Sequence, residues 1–154
     1  MQQPQTAASI LDYFMERSDA LVAELREFVE RETPSRDAAS IEDFIRDYSS
    51  RLEAAGLSCR QFPGAFGPQL LAELPGEEPP VVLVGHSDTV WPAGAVSERP
   101  LQVADGRLYG PGVYDMKAGL SIVLGVVRFL QESPVRRRRK LQVFIAADEE
   151  SGGD

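Results

Sequence analysis

Val81-Val82-Leu83-Val84-Gly85-His86-Ser87-Asp88-Thr89 begins with four apolar residues in a row and ends in a polar cluster. A run that is apolar at every position, rather than at every second one, predicts a strand covered on both faces and so placed in the middle of a sheet. In open α/β sheets ligands bind beyond the C-terminal ends of such strands, so the change of character at Gly85 to Thr89 marks a candidate site.

Working outward, residues 141–146 form a second buried run, and it too ends in acids, Asp148, Glu149 and Glu150. Between the two, residues 116–130 place Leu120, Val123, Val127 and Leu130 on one side of a helix. Upstream, Leu21, Val22, Leu25, Phe28 and Val29 predict a helix that Pro34 ends. Ile41, Phe44, Ile45, Tyr48, Leu52 and Ala55 predict another, with Ser40 as N-cap and Gly56 in the C-cap position. Residues 57–62 and 69–74 are short extended runs separated by Pro63, Gly64, Gly67 and Pro68. Helices, strands, helix and strand in this order predict one layered α/β domain.

Composition narrows the function. The 154 residues are 43% hydrophobic, enough for a core, and 16 basic against 24 acidic side chains leave a net charge of -8. An acidic chain is a poor partner for nucleic acid, whose backbone is bound mostly by cations. The uncharged, mostly apolar stretch at residues 118–127 is far short of the roughly 20 apolar residues that span a bilayer. Residues 1–9 carry neither the basic nor the apolar region of a secretory signal, and Cys59 is the sole cysteine, so a cytoplasmic protein is expected and Cys59 reads as an inert small residue. The basic run at residues 136–140 reads as a solvated loop between helix and strand.

His86 is the only histidine, and Asp88, two positions on, is placed to hold one ring nitrogen while the other faces a metal. Asp115 follows the glycine-rich segment 110–114, where it reads locally as an N-cap. A dinucleotide loop is a poor alternative, because Asp115 stands where the third glycine of G-x-G-x-x-G belongs. If the strands 81–84 and 141–146 are neighbours, the acids and His86 converge on one rim, and repulsion among them calls for a divalent cation. Imidazole and carboxylate donors favour zinc, with manganese or cobalt admissible.

Three segments, Gly-His-Ser-Asp-Thr-Val (residues 85–90), Gly-Arg-Leu-Tyr-Gly-Pro-Gly-Val-Tyr-Asp-Met-Lys-Ala-Gly (residues 106–119) and Asp-Glu-Glu-Ser-Gly (residues 148–152), resemble the signatures of the co-catalytic zinc family in order and spacing. That family contains glutamate carboxypeptidase, aminoacylase, acetylornithine deacetylase and succinyl-diaminopimelate desuccinylase. The Tyr-Gly-Pro-Gly run at residues 109–112 resembles the glutamate carboxypeptidase branch most. The resemblance implies an α/β/α sandwich with a mostly parallel sheet and hydrolysis of peptide or N-acyl amino acid amide bonds. It also implies two zinc ions bound by His86, Asp115 and Glu150, with Asp115 bridging, Asp88 orienting His86, and Glu149 as general base. A cis peptide between Asp115 and Met116 is implied as well.

Family members are much longer, and their sites use a further carboxylate and a late histidine. Residues 1–154 are therefore expected to be the N-terminal portion of the catalytic domain, without the lid through which relatives dimerise. Alone, such a chain is expected to be inactive, with open sheet edges and apolar surface. The competing reading is a non-catalytic metal-binding or protein-interaction module derived from such an enzyme.

Overall fold

The computed structural model describes residues 6–133 and 139–153. In chain order the elements are α1 (Ala7–Glu16), α2 (Ser18–Glu30), α3 (Ala38–Ala54), β1 (Ser58–Phe62), β2 (Gln69–Leu74), β3 (Glu78–His86), α4 (Ala95–Glu98), β4 (Gln102–Ala104), β5 (Arg107–Tyr109), α5 (Ala118–Glu132) and β6 (Arg139–Ala146). Helix α3 forms as its spacing predicts: Ile41, Phe44, Ile45, Tyr48 and Leu52 are all fully buried. Each such side chain contributes about 1.5–3 kcal/mol of transfer free energy. Its N-cap is Asp37 rather than Ser40, whose N–H and hydroxyl donate to the Asp37 carboxylate at 3.2 and 2.7 Å. Gly56, at φ 89°, supplies the left-handed residue that turns the chain out of the helix.

Four strands make one sheet in the order β1-β2-β6-β3. Only β3 and β6 run parallel, while β1 with β2 and β2 with β6 are antiparallel. The expected mostly parallel sheet is thus a mixed one. A short turn between β1 and β2 can only reverse direction, whereas β3 reaches β6 through a long connection containing α5, as parallel neighbours require.

Helices cover one face. Leu70, Ala72 and Leu74 of β2 and Leu141, Val143 and Ile145 of β6 point into a core with Phe28, Phe44, Tyr48, Leu120 and Leu124. The Tyr48 hydroxyl donates to the Leu120 carbonyl at 2.9 Å, fastening α3 to α5 inside that core. The other face carries Leu71, Phe144, Val82 and Val84, and Val84 is 68% exposed. Strand β3, expected in the middle of the sheet, lies at its edge, and the described residues form two layers, not three. Its continuous apolarity suits a strand covered on both sides, but only one side is covered here.

A second cluster joins Leu25 and Val29 of α2 to Leu101, Leu108 and Val113 around the β4–β5 hairpin. Helix α1 has no buried residue and leans on α5 through Tyr13 and Phe14, whose rings lie 5.0 and 5.8 Å from that of Phe129. Of the basic run, residues 136–138 lie outside the described residues; Arg139 and Lys140 open β6 and pair with Glu78 and Glu73. Among the described residues no helix is long and apolar enough to cross a membrane.

Candidate active site

The parallel register sets His86 opposite Ala146, so β3 and β6 end together and their polar loops share one rim. His86 is only 7% exposed. Its Nδ1 lies 3.0 Å from the Asp88 carbonyl oxygen and 3.4 Å from the Asp88 carboxylate. Both are acceptors, so Nδ1 carries a proton, and Nε2 is the nitrogen turned outward. That nitrogen is 2.9 Å from Asp115 and 4.0 Å from Glu149. The hydrogen bond to the Asp88 side chain is the main reason its pKa rises to about 9, against burial, with Asp115 adding to the rise.

Asp88 has no exposed surface. One carboxylate oxygen accepts the Glu149 N–H at 3.1 Å; the other accepts the Glu150 N–H at 3.1 Å and the Ser35 hydroxyl at 2.8 Å. Burial pushes its pKa up, but the bonds from His86, Ser35 and the Glu150 amide outweigh it and hold the group below the ordinary aspartate value. The loop around it is clamped to the α2–α3 connection: Thr89 N–H donates to the Thr33 carbonyl, Ser35 N–H donates to the Thr89 carbonyl, and the Thr33 hydroxyl donates to the Ser87 carbonyl.

Asp115 does not cap a helix, because regular α5 starts at Ala118. It sits in a tight irregular turn opened by Gly112 at φ 66°, and its bond to Met116 is cis. Met116 folds back, and its sulfur accepts the His86 backbone N–H at 3.2 Å. Lys117 is 2% exposed; its Nζ lies 3.5 Å from the centre of the Phe44 ring and donates to the Arg31 carbonyl at 3.4 Å. Desolvation drives its pKa well below that of an ordinary lysine, opposed by the charge of Asp88.

The three consecutive acids separate. Asp148 is buried and accepts from the Gln69 amide at 3.0 Å, so it does not join the cluster around His86. Glu149 and Glu150 turn toward His86, and the three offer ligand atoms within 4.8 Å of one another. Burial and then the Asp115 charge raise the pKa of Glu150. A cation among these groups relieves that repulsion, and a histidine locked at Nδ1 by a carboxylate has the arrangement metal-bound imidazoles show. The residues present therefore fit a divalent metal.

Of the residues singled out from the sequence, His86, Asp88, Asp115, Glu149 and Glu150 come together. The sequence alone gives no role to the side chains of Ser35, Gln69, Met116 and Lys117, although Met116 and Lys117 lie within the signature at 106–119 and Ser35 and Gln69 are polar residues beside turn-forming prolines. Cys59 is half-buried, donates to the Ser49 carbonyl at 3.6 Å, and has its thiol pushed up to about 11 by burial, so it is a poor nucleophile.

Comparison with known proteins adds a sequence match and a fold match. Residues 82–154 match the profile of Peptidase family M20/M25/M40. Carboxypeptidase G2 of Pseudomonas sp. (strain RS-16) is 28% identical over 137 residues, covering 86% of this chain and 33% of that protein. A succinyl-diaminopimelate desuccinylase of Gluconacetobacter diazotrophicus is 33% identical over 109 residues, 66% of this chain and 28% of that protein. The structure of human carnosine dipeptidase 1 shares the fold, with a TM-score of 0.82 at 22% identity over 98% of this chain and 36% of that one. The chain spans about a third of the length of the curated relatives it matches.

Proposed function

The chain belongs to peptidase family M20/M25/M40, and from that premise we propose that it forms the N-terminal part of the catalytic domain of a metal-dependent hydrolase. The substrates on this reading are peptides or N-acyl amino acids, cleaved at an amide bond next to an amino acid with a free carboxylate. The observation that carries it is the gathering of Asp115, Glu149 and Glu150 around a single imidazole that buried Asp88 holds by its far nitrogen.

His86, Asp115 and Glu150 are the protein's ligands in this reading, and two zinc ions bound there, or cobalt or manganese in their place, would polarise the scissile carbonyl and acidify the attacking water. Asp88 orients His86 and keeps its Nε2 directed at the site. Glu149, on the same turn as Glu150 and side-chain exposed, is free to accept a proton from water and return it to the leaving amine. The uncovered sheet face and the edge at β3 support a domain completed by further chain, and the family resemblance alone suggests a lid that pairs two copies. A single, half-buried cysteine suits a cytoplasmic setting.

The test uses the full-length protein. Glu149→Gln is expected to retain bound metal and lose turnover by at least about a thousandfold, near the scale of a general base. His86→Ala is expected to lose metal, read by elemental analysis. Turnover that survives Glu149→Gln removes Glu149 from the base role, and unchanged metal content in His86→Ala removes His86 from the ligand set.

A further inference from the structure

Burying an amine removes it from water and is unfavourable unless partners replace the solvent. Lys117 is 2% exposed, more deeply placed than His86, yet the reaction outlined above gives it nothing to do. Its partners are specific. Its Nζ donates to the carbonyl of Arg31 at 3.4 Å and rests on the face of Phe44 at 3.5 Å.

Those partners lie on the α2–α3 side of the molecule. Two residues beyond Arg31 begins the segment in which Thr33 and Ser35 grip the loop of residues 87–89, and Ser35 also bonds the Asp88 carboxylate. At its other end Lys117 is two residues from Asp115, in the turn whose N–H at Lys117 donates back to the Gly112 carbonyl at 2.9 Å. One connection therefore holds both sides of the His86 imidazole: Ser35 steadies Asp88 behind Nδ1, and the Arg31 carbonyl steadies Lys117, and with it Asp115, in front of Nε2.

We propose that Lys117 is a positioning residue, a buried tie from the Asp115 turn to the Arg31 carbonyl and the Phe44 ring that fixes the Asp115 carboxylate against His86 for metal binding. It touches neither substrate nor metal. This inference rests on the metal-site reading above and goes further by assigning a role to a residue outside the ligand set.

Lys117→Met separates this role from packing. Methionine nearly matches the lysine stem in volume and lifts the desolvation penalty, so thermal stability is expected to equal or exceed that of the wild type. The tie is lost. Cobalt(II) titration of the chain, followed through its visible d–d bands, is expected to show at least tenfold weaker binding for Lys117→Met and an altered band pattern. Lys117→Arg keeps a donor and a flat cation for the Phe44 face and is expected to stay within about threefold of the wild type. Cobalt binding by Lys117→Met within twofold of the wild type overturns the proposal, as does a Lys117→Met chain that fails to fold while Lys117→Arg folds but binds cobalt no better than tenfold below the wild type. A wild-type chain that takes up no cobalt at all overturns the metal-site reading itself, and this proposal with it.

Discussion

Asp88 accepts the backbone N–H of Glu150 at 3.1 Å through the oxygen that also takes the Ser35 hydroxyl. The carboxylate behind the imidazole thus also shapes the turn from which Glu149 and Glu150 reach the same space. Orientation of the histidine and placement of the acids are one structural event, set by a residue with no exposed surface.

Asp88→Asn keeps the size but replaces one acceptor oxygen with a donor that faces N–H or O–H groups. The expected destabilisation is about 2–3 kcal/mol, in the range of a lost hydrogen bond to a charged group plus an unsatisfied donor. Metal affinity is expected to fall about 10–100-fold, the usual effect of removing a carboxylate behind a ligating histidine. Urea unfolding and metal titration measure the two separately.

Ser35→Ala removes one of the donors that stabilise ionised Asp88 and leaves the rest. The expected loss is about 1 kcal/mol, checked by thermal melting.

Proton linkage gives the pH dependence. The raised His86 pKa means that the metal-free fold gains stability from the charged imidazole; the gain is complete below about 6.5, the ordinary histidine value, and is lost as pH rises through about 9. Asp88 acts with the opposite sign, its lowered pKa giving stability above the ordinary aspartate value that is lost as pH falls below it. Metal-free stability from this pair is therefore greatest in the mildly acidic range. A cation at Nε2 must displace the proton, so below pH 9 its uptake is expected to release about one proton, with affinity rising about tenfold per pH unit from 7 toward 9. Calorimetry in buffers of different ionisation enthalpy counts that proton.

Gly112→Ala places a methyl in the left-handed region at φ 66° and 2.8 Å from the Thr89 side-chain methyl. The conformational cost alone is about 1–2 kcal/mol. Since Gly112 opens the turn that carries Asp115, weaker metal binding is expected alongside a lower melting temperature.

Val84→Lys tests the open sheet face. Val84 is 68% exposed beside half-buried Phe144, so its own burial contributes little and stability is expected to change by less than about 0.5 kcal/mol. A charge there is expected to reduce self-association of the chain, read by sedimentation velocity at several concentrations.

Much of this was legible in the sequence because it depends on local pattern. Continuous apolar runs mark β3 and β6, and three- and four-residue spacing marks α2, α3 and α5. Chemistry at strand ends picks out His86, Asp88 and the acids at 148–150, and the family resemblance adds Asp115 and the separate roles of Glu149 and Glu150. The rest depends on partners far along the chain. The contacts Ser35–Asp88 and Gln69–Asp148 have no local signature, because each makes sense only once β3 and β6 are paired. Helix α1 carries Ile10, Leu11, Phe14 and Met15 at helical spacing but buries none of them. The β4–β5 hairpin is too short to show alternation, although Asp105 and Gly106 at its turn are residues that hairpins favour. The edge position of β3 escapes prediction for a different reason: its residues are suited to two covered faces, whatever this stretch of chain itself supplies.

Gln69 stands at the first position of β2 and spends its amide on the far end of β6, donating to Asp148 and accepting the Ala147 N–H at 3.0 Å. An antiparallel hairpin remote from any reacting bond thereby becomes a gauge for where the chain leaves the sheet. A one-residue slip of β2 against β6 would exchange its buried and exposed sides and carry Gln69 away from both groups, leaving the acidic turn held by Asp88 alone of these two anchors. Alignment of β2 with β6 and readiness of Glu149 and Glu150 for chemistry are, on this geometry, a single property of the molecule.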